Sequence, residues 1–421
     1  MTIDVLVIGA GPTGLAAAVE LRRQGVEKVV IADREPEAGG VPRHCVHTGF
    51  GLRDLHRVLS GPAYASAYSE AAVTVGADLR RGTTVTQLAG DLQATLTSPA
   101  GIEQVRARAV LLATGCRERP RSARLIPGDR PTGVLTTGEL QQRILLGERR
   151  PGRALIVGAE HVSFSAILTL VHAGSRVTAL VTAEPRHQSY AAFRLGALAR
   201  WRLPVWTSTQ VTRIIGRDTL ESVEVTHLGT GSVRRIECET LVFTGDWIAD
   251  HELARTAGIA ISAGTAGPVV DTALQTSVPG VFAAGNLIHP AETADVAALS
   301  GRHAARQIAS FLRQPVVAGG RVEATRTAGS ALAGVPIDVV APLAWIAPNA
   351  VNPGRTLPPR DRFVLRSEGP RRIATLEVRQ DGRLLAARRI RLMPARSITL
   401  SAGWIADVDP AGGPIQVTAA R

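Results

Sequence analysis

The feature that most constrains this chain is an internal duplication. One stretch opens with Val5-Leu6-Val7-Ile8-Gly9 and closes with Leu111-Leu112-Ala113-Thr114-Gly115. A second opens with Ala154-Leu155-Ile156-Val157-Gly158 and closes with Leu241-Val242-Phe243-Thr244-Gly245. Each begins with a short apolar strand, a glycine turn and a helix of small residues. Each adds a second strand, at Val29–Ala32 and Arg176–Val181, then alternating segments such as 83–88 and 211–215 that lead to the terminal Thr-Gly. Strand–helix–strand units of this kind build parallel sheets with right-handed crossovers. A third return to strand and helix, over 280–312, predicts that the first sheet is completed late, with the second unit inserted in it.

At 421 residues the chain exceeds one ordinary core. Residues 320–334 are small and polar and read as a linker. Beyond it, 373–380, 384–392 and 415–419 alternate between Pro and Asp-Gly turns, the pattern of a small β-sandwich-like domain. The fold class expected is therefore α/β, with two Rossmann-like dinucleotide-binding domains and a C-terminal β-rich domain. The first domain takes 1–120 and 246–319, the second 121–245, and the linker with the β-rich domain 320–421.

Val5 to Gly14 is a strand entering a Gly9-Ala10-Gly11-Pro12-Thr13-Gly14 turn and a helix over 15–22. In such a turn the first glycine bends the chain, the second lets backbone approach a pyrophosphate, and the third lets helix pack on strand. The helix start then offers N–H groups and a partial positive charge to phosphate. Asp33, followed by Arg34, ends the next strand, where a carboxylate accepts from ribose hydroxyls. By itself this turn suits either NAD or FAD.

Three further strings decide between them by resemblance. Glu37-Ala38-Gly39-Gly40 follows the ribose acid, Ala113-Thr114-Gly115 ends a strand, and Thr276-Ser277-Val278-Pro279-Gly280-Val281-Phe282-Ala283-Ala284-Gly285-Asn286 forms a second fingerprint. With these, residues 1–315 resemble the two-dinucleotide-domain flavoproteins related to the pyridine nucleotide–disulphide oxidoreductases. The resemblance implies FAD, held by Gly9, Gly11, Pro12, Thr13, Gly14, Asp33, Arg34, Gly39, Gly40, Ala113, Thr114, Gly115, Gly285 and Asn286. Position 286 is usually Asp in that family and bonds the ribityl chain; Asn286 can do so without charge. The helix expected from 291 to about 312 would aim its N-terminus at the flavin pyrimidine.

The second turn keeps only its first glycine: Gly158-Ala159-Glu160-His161-Val162-Ser163. Glu160 stands where backbone should approach a pyrophosphate, adding bulk and like-charge repulsion of ~1–4 kcal/mol. Glu184 comes late for a ribose acid, and Arg186 is the cation placed for a 2′-phosphate. NAD(P) binding is accordingly doubtful here, and a scaffold or subunit interface is the alternative use of this fold.

Candidate chemistry lies in Pro42-Arg43-His44-Cys45-Val46-His47-Thr48, which passes close to the isoalloxazine if the family layout holds. His44 or His47 would move a proton as flavin N5 takes a hydride. A packing role for the same residues is the competing reading. Cys45 stands where family members carry a redox disulphide, but no second cysteine is near, and Cys116 and Cys238 read as structural, so no dithiol relay is expected. His44, Cys45 and His47 lack a fourth ligand, so no metal is expected. The arginine-rich Arg117–Arg121 stretch reads as a hinge or phosphate tether. His289, Glu292 and Asp295 read as helix-capping groups or as groups near the flavin edge.

A net charge of +12, carried by scattered arginines with Lys28 the only lysine, matches no nucleic-acid-binding motif. No uncharged apolar run reaches the ~18 residues of a membrane span. The chain enters a strand at once without a signal-peptide pattern, and its three cysteines form no pair; both point to the reduced cytoplasm. Glu35 to Cys45, Pro120 to Arg124, Val134 to Gly138 and Val162 to Ala166 resemble a bacterial subgroup of FAD-dependent and NAD(P)/FAD-dependent oxidoreductases. Related flavoproteins serve as subunits beside glycerol-3-phosphate-dehydrogenase-like or amino-acid-oxidising flavoproteins. The function expected is the flavoprotein subunit of a heteromeric dehydrogenase oxidising a small organic hydroxyl or amine, partnered by a second flavoprotein or iron–sulphur subunit. The alternatives are a stand-alone NAD(P)H-dependent reductase of a small acceptor or iron–sulphur partner, and a non-catalytic FAD-stabilised interaction subunit.

Overall fold

The computed structural model describes residues 1–148, 152–189, 195–196, 199–290, 292–314, 334–369, 371–393 and 396–420. The expected linker at 320–334 lies, but for Gly334, outside these residues. Two compact units form. One comprises 1–42, 49–116 and 249–421; the other comprises 43–48 and 117–248.

The first unit is built on a seven-stranded sheet. Its parallel part runs Asp78–Arg80, Val29–Ala32, Thr2–Ile8, the end of Gly101–Leu112, and Val281–Ala283. Val5 pairs with Val29 on one side and Ala109 on the other, and Val281 pairs with Val110. The strands Val29–Ala32 and Val281–Ala283 are buried on both faces, as a parallel sheet covered by helices requires. Gly101–Leu112 begins in an antiparallel meander with Gln93–Ser98 and Thr84–Leu88. The late strand Val281–Ala283 and the helix Ala294–Arg313 complete this fold as the sequence predicts. The helix Pro12–Arg23 packs on Ala294–Arg313 so closely that a Cβ on Gly301 would lie 2.1 Å from the Thr13 carbonyl oxygen.

The C-terminal residues add two packed sheets to the same unit. One has the order Ala350–Val351, Val335–Val339, Ile415–Ala420, Arg371–Gln380, Arg383–Leu392; the other is Leu343–Ala347, Arg362–Ser367, Ile398–Ser401. Phe363, Leu365, Leu376, Val378, Leu400 and Val417 fill the space between them, with Phe363 stacked on Trp404 at 5.0 Å. Alternation reveals three of these strands in the sequence. The others are short or carry charged residues among the apolar ones.

The second unit repeats the first. Its parallel sheet has the order Val134–Thr136, Thr240–Phe243, Arg153–Val157, Arg176–Val181, Val205–Trp206. The meander Thr209–Ile215, Ser222–His227, Val233–Glu237 again precedes the last strand. Helices Thr137–Leu145 and His161–His172 cover the sheet.

One buried carboxyl gives the first unit a pH dependence. Asp271 is 5% exposed, and its Oδ1 accepts from the Ala273 and Gln275 amides at 2.9 and 3.0 Å. Burial outweighs both donors and pushes the carboxyl up to about 7. A carboxyl raised in the folded state favours folding fully below its unfolded value, and that contribution is lost as pH rises through about 7. Asp271→Asn keeps the acceptor and removes the charge. Denaturant unfolding should show the parent chain losing ~2–3 kcal/mol relative to this variant between pH ~5 and ~8.5; a constant difference would mean that Asp271 is ionised throughout.

Candidate functional site

In the first unit the glycine turn stands at the carboxyl ends of the parallel strands. Gly9 has φ +105°, and a Cβ there would lie 2.5 Å from the Ala113 carbonyl oxygen. A Cβ on Gly14 would lie 1.9 Å from the Gly9 oxygen. Gly11 differs: a Cβ there meets nothing within 4 Å. Two of the glycines are therefore required by the protein's own packing, and the middle one fronts open space. Gly11 caps the helix Pro12–Arg23 with no side-chain hydrogen bond, so the helix start faces that space. Such a backbone cradle fits the pyrophosphate of a dinucleotide.

The second strand delivers Asp33 to the turn. Its Oδ2 accepts from the Ala10 amide at 2.5 Å and its Oδ1 from the Glu35 amide at 2.8 Å. The carboxylate thus braces the turn. Arg34 is two-thirds exposed and pairs with Asp250 at 3.5 Å and Glu35 at 3.9 Å. Gly39 donates to the Ala10 carbonyl at 2.8 Å. Its φ of +119° sets it against Ala65, while a Cβ on Gly40 would lie 2.9 Å from Gly11 Cα. Pro36, Glu37, Arg81, Gly82 and Thr83 line a shallow cleft of about 790 Å³ beside Asp33. Arg81–Thr83 carry no sequence motif that would single them out; the pairing of the Thr83 amide with the Asp33 carbonyl at 2.7 Å brings them here.

The remaining fingerprints converge on the same turn. Ala113 is buried and donates to the Ile8 carbonyl, Thr114 Oγ1 donates to the Asp250 carbonyl at 2.8 Å, and the Gly115 carbonyl accepts from Asp250. Gly285, at φ +70°, packs on Thr13 and donates to Ser300 Oγ at 3.1 Å. Asn286 spends its side chain locally: Nδ2 donates to the Glu292 carbonyl at 3.1 Å, and Oδ1 accepts from the Glu292 amide at 2.9 Å. The helix begins at Ala294, later than expected, with Asp295 in its first turn. Burial opposes ionisation of Asp295, but hydrogen bonds from Thr293 and Arg53 hold its carboxyl below the usual range.

A tyrosine–carboxylate cluster braces the neighbouring loop. Tyr64 and Tyr68 both donate to Asp54 Oδ2, at 2.6 and 2.7 Å, and Arg302 donates to the Tyr68 oxygen at 2.9 Å. Nothing in the local sequence announces it, because its members come from three elements.

In the second unit the equivalent crevice holds the protein's own carboxylate. Glu160 Oε2 accepts from the Ala159 amide at 2.8 Å and Oε1 from Thr244 Oγ1 at 2.5 Å. Its oxygens lie so close to Gly158 and Gly245 that a Cβ on either would stand within 2.8 Å of them. Where Gly39 bonds the Ala10 carbonyl in the first unit, Gln188 and Ser189 bond the Ala159 carbonyl at 3.0 and 3.1 Å, and both are buried. Glu118, buried nearby, accepts from Gly138 and Gly245 at 2.9 and 3.2 Å. Burial, reinforced by Glu160, raises its carboxyl above the usual range.

The stretch 43–48, expected beside the flavin, belongs to this second unit. Cys45 Sγ donates to Gln141 Oε1 at 3.3 Å, Gln141 Nε2 donates to Ser165 Oγ at 2.8 Å, and Ser165 Oγ lies 2.6 Å from His47 Nε2. His47 Nδ1 lies 3.0 Å from the Thr48 carbonyl. A carbonyl can only accept, so Nδ1 donates to Thr48. His44 Nε2 accepts from Arg43 Nη2 at 3.1 Å. Burial pushes the Cys45 thiol up to about 12, so it stays protonated at neutral pH. Cys45, Cys116 and Cys238 are not joined to one another by disulphides. The arginine-rich stretch is structural: Arg121 donates to the Gly128 and Ile126 carbonyls at 3.0 and 3.2 Å, and Arg119 pairs with Asp246. Among the described residues no metal-binding group of His, Cys, Asp or Glu occurs, and no helix is long and apolar enough to cross a membrane.

Comparison with known proteins places this geometry. Residues 3–301 match the family model described as pyridine nucleotide-disulphide oxidoreductase. One of the subunits of the opine oxidase of Agrobacterium tumefaciens is 29% identical over 333 residues, covering 72% of this chain and 64% of that protein. The alpha subunit of the sarcosine oxidase of a Corynebacterium species is 30% identical over 268 residues, 58% of this chain and 26% of that protein. The chain thus spans less than two thirds of either relative's length. Among solved structures, the thioredoxin reductase of T. acidophilum shares the fold with a TM-score of 0.62 at 21% identity, over 73% of this chain and 98% of that one. The chain belongs to the pyridine nucleotide-disulphide oxidoreductase family and is an FAD-dependent oxidoreductase.

Proposed function

We propose that this chain is the flavoprotein subunit of a heteromeric dehydrogenase, taking electrons from a small organic hydroxyl or amine compound and not from NAD(P)H. The observation that carries this reading is Glu160, whose carboxylate spans the second crevice between Gly158 and Gly245. A nucleotide phosphate entering there would meet like charge and would displace two hydrogen bonds, a cost on the order of a few kcal/mol. Gln188 and Ser189, in place of a Gly-Gly pair, add side-chain bulk over the same turn. The relatives named as subunits of opine and sarcosine oxidases support an organic electron donor and a partner protein. That partner would be a second flavoprotein or an iron–sulphur protein. Reduction by NAD(P)H is the alternative.

FAD, when bound, supplies two-electron acceptance at its ring. In this reading Gly9–Gly14 and Gly39–Gly40 cradle its phosphates, Asp33 faces its ribose, and the segment Gly285–Asn286 with Ala113–Gly115 frames the rest. The hydrogen-bond chain from Cys45 to His47 supports a holding role for both residues. His44 would take up a proton only at Nε2, after releasing Arg43.

Three outcomes test this. Gly11→Val should leave the fold intact, since its Cβ meets no atom, but should abolish FAD retention. Gly14→Val should instead lower stability by several kcal/mol, on the scale of ~3 or more for a backbone clash; a yellow Gly11→Val protein would reassign the pyrophosphate site. Under anaerobic conditions NADH and NADPH should not bleach a flavin that dithionite does reduce, and rapid bleaching by either would make the chain a reductase. Glu160→Gly should tighten NAD(P)H binding roughly tenfold or more by calorimetry, matching ~1.4 kcal/mol of relieved repulsion. No change would place the block elsewhere.

A further inference from the structure

The C-terminal sandwich is fastened to the loop that follows Gly285. His289, 9% exposed, stacks on Trp345 with ring centroids 5.6 Å apart and planes at 28°. Arg366 lies over the same indole at 5.8 Å. Ser397 Oγ donates to Glu292 Oε1 at 2.6 Å. The loop is also closed on itself, since the Asn286 amide bonds both backbone groups of Glu292. Trp345 is seated by Gly264, where a Cβ would lie 2.7 Å from the Trp345 Cβ. Burial and then the Arg366 charge push the His289 imidazole down to about 4, so a neutral ring faces the indole near pH 7. His289 Nδ1 is buried with no hydrogen-bond partner among the described residues.

We propose that Trp345 and Ser397 are positioning residues for FAD: gripping His289 and Glu292, they fix the loop between the second fingerprint and the helix Ala294–Arg313. The inference rests on FAD occupying the first unit's turn. An untethered loop would have to be ordered on binding, at a cost in backbone entropy for each residue fixed. A loop held from outside by the sandwich is ordered beforehand, which tightens binding. The sandwich is then a working part of the flavin site and not an appendage. The orphaned His289 nitrogen lies on the loop so held.

The test uses the full chain, stripped of FAD and titrated with it while flavin fluorescence is followed, together with the flavin midpoint potential by dye equilibration. Trp345→Ala should raise the FAD Kd roughly tenfold or more and shift the potential. Trp345→Phe should restore both values. Ser397→Ala, which removes one hydrogen bond to a carboxylate, should raise Kd about fivefold. Unchanged Kd and potential in folded Ser397→Ala and Trp345→Ala would overturn the proposal, and Ser397→Ala decides alone if Trp345→Ala does not fold. Gly11→Val separates the two readings. If it loses FAD while Ser397→Ala is normal, only the clamp fails; if it retains FAD, the turn assignment itself is wrong.

Discussion

The structure depends on one close backbone approach. At the turn after the first strand, the helix Pro12–Arg23 sits against the chain that feeds it, with no room for a side chain at Gly14. Everything that frames the cofactor site is measured from that contact. Gly285 and Gly301 pack on Thr13, Gly40 packs on Gly11, and the Ala113 carbonyl lies against Gly9. Segments far apart in sequence thus meet at the turn, Gly9, Gly40 and Gly301 against backbone and Gly285 against the Thr13 side chain, where dispersion and fixed geometry leave little freedom to relax. Of the three glycines in the turn, Gly11 alone has room for a Cβ.

The two units show one turn in two settings. Both have the same strand order around the turn and the same hydrogen bond from the following loop to the second residue of the turn. In the first, that loop brings Gly39-Gly40, and a Cβ on Gly11 would meet no atom. In the second, it brings Gln188 and Ser189, and Glu160 supplies an internal anion to the donors that remain. The donors at the turn are costly to leave unpaired when buried, and in the second unit Glu160 pairs the Ala159 amide and the Thr244 hydroxyl. Glu118, held on two further amides, extends the same internal solution.

The sandwich and the loop it grips add a second layer of order. Its own core is apolar and self-contained, yet Trp345 and Ser397 project from it to His289 and Glu292. Those residues follow directly on the first unit's second fingerprint, so the sandwich and that loop pack on each other.

The sequence by itself determined the duplicated α/β architecture, the late completion of the first sheet, and the glycine turn with Asp33, because these rest on local periodicity and on glycine's unique backbone range. It also marked Glu160 as out of place, since the motif fixes what that position must do. Tertiary structure alone decided the rest. That Glu160 folds back onto Ala159 and Thr244, and that Asn286 pairs with Glu292, depends on side-chain choices among partners tens of residues apart or across a loop. That 43–48 is part of the second unit, through Cys45, Gln141, Ser165 and His47, has no local signature: hydrogen-bonding residues look alike in sequence whatever they bond. Asp54 with Tyr64, Tyr68 and Arg302, and His289 with Trp345, are legible only in space, because burial assembles them from elements whose spacing carries no period.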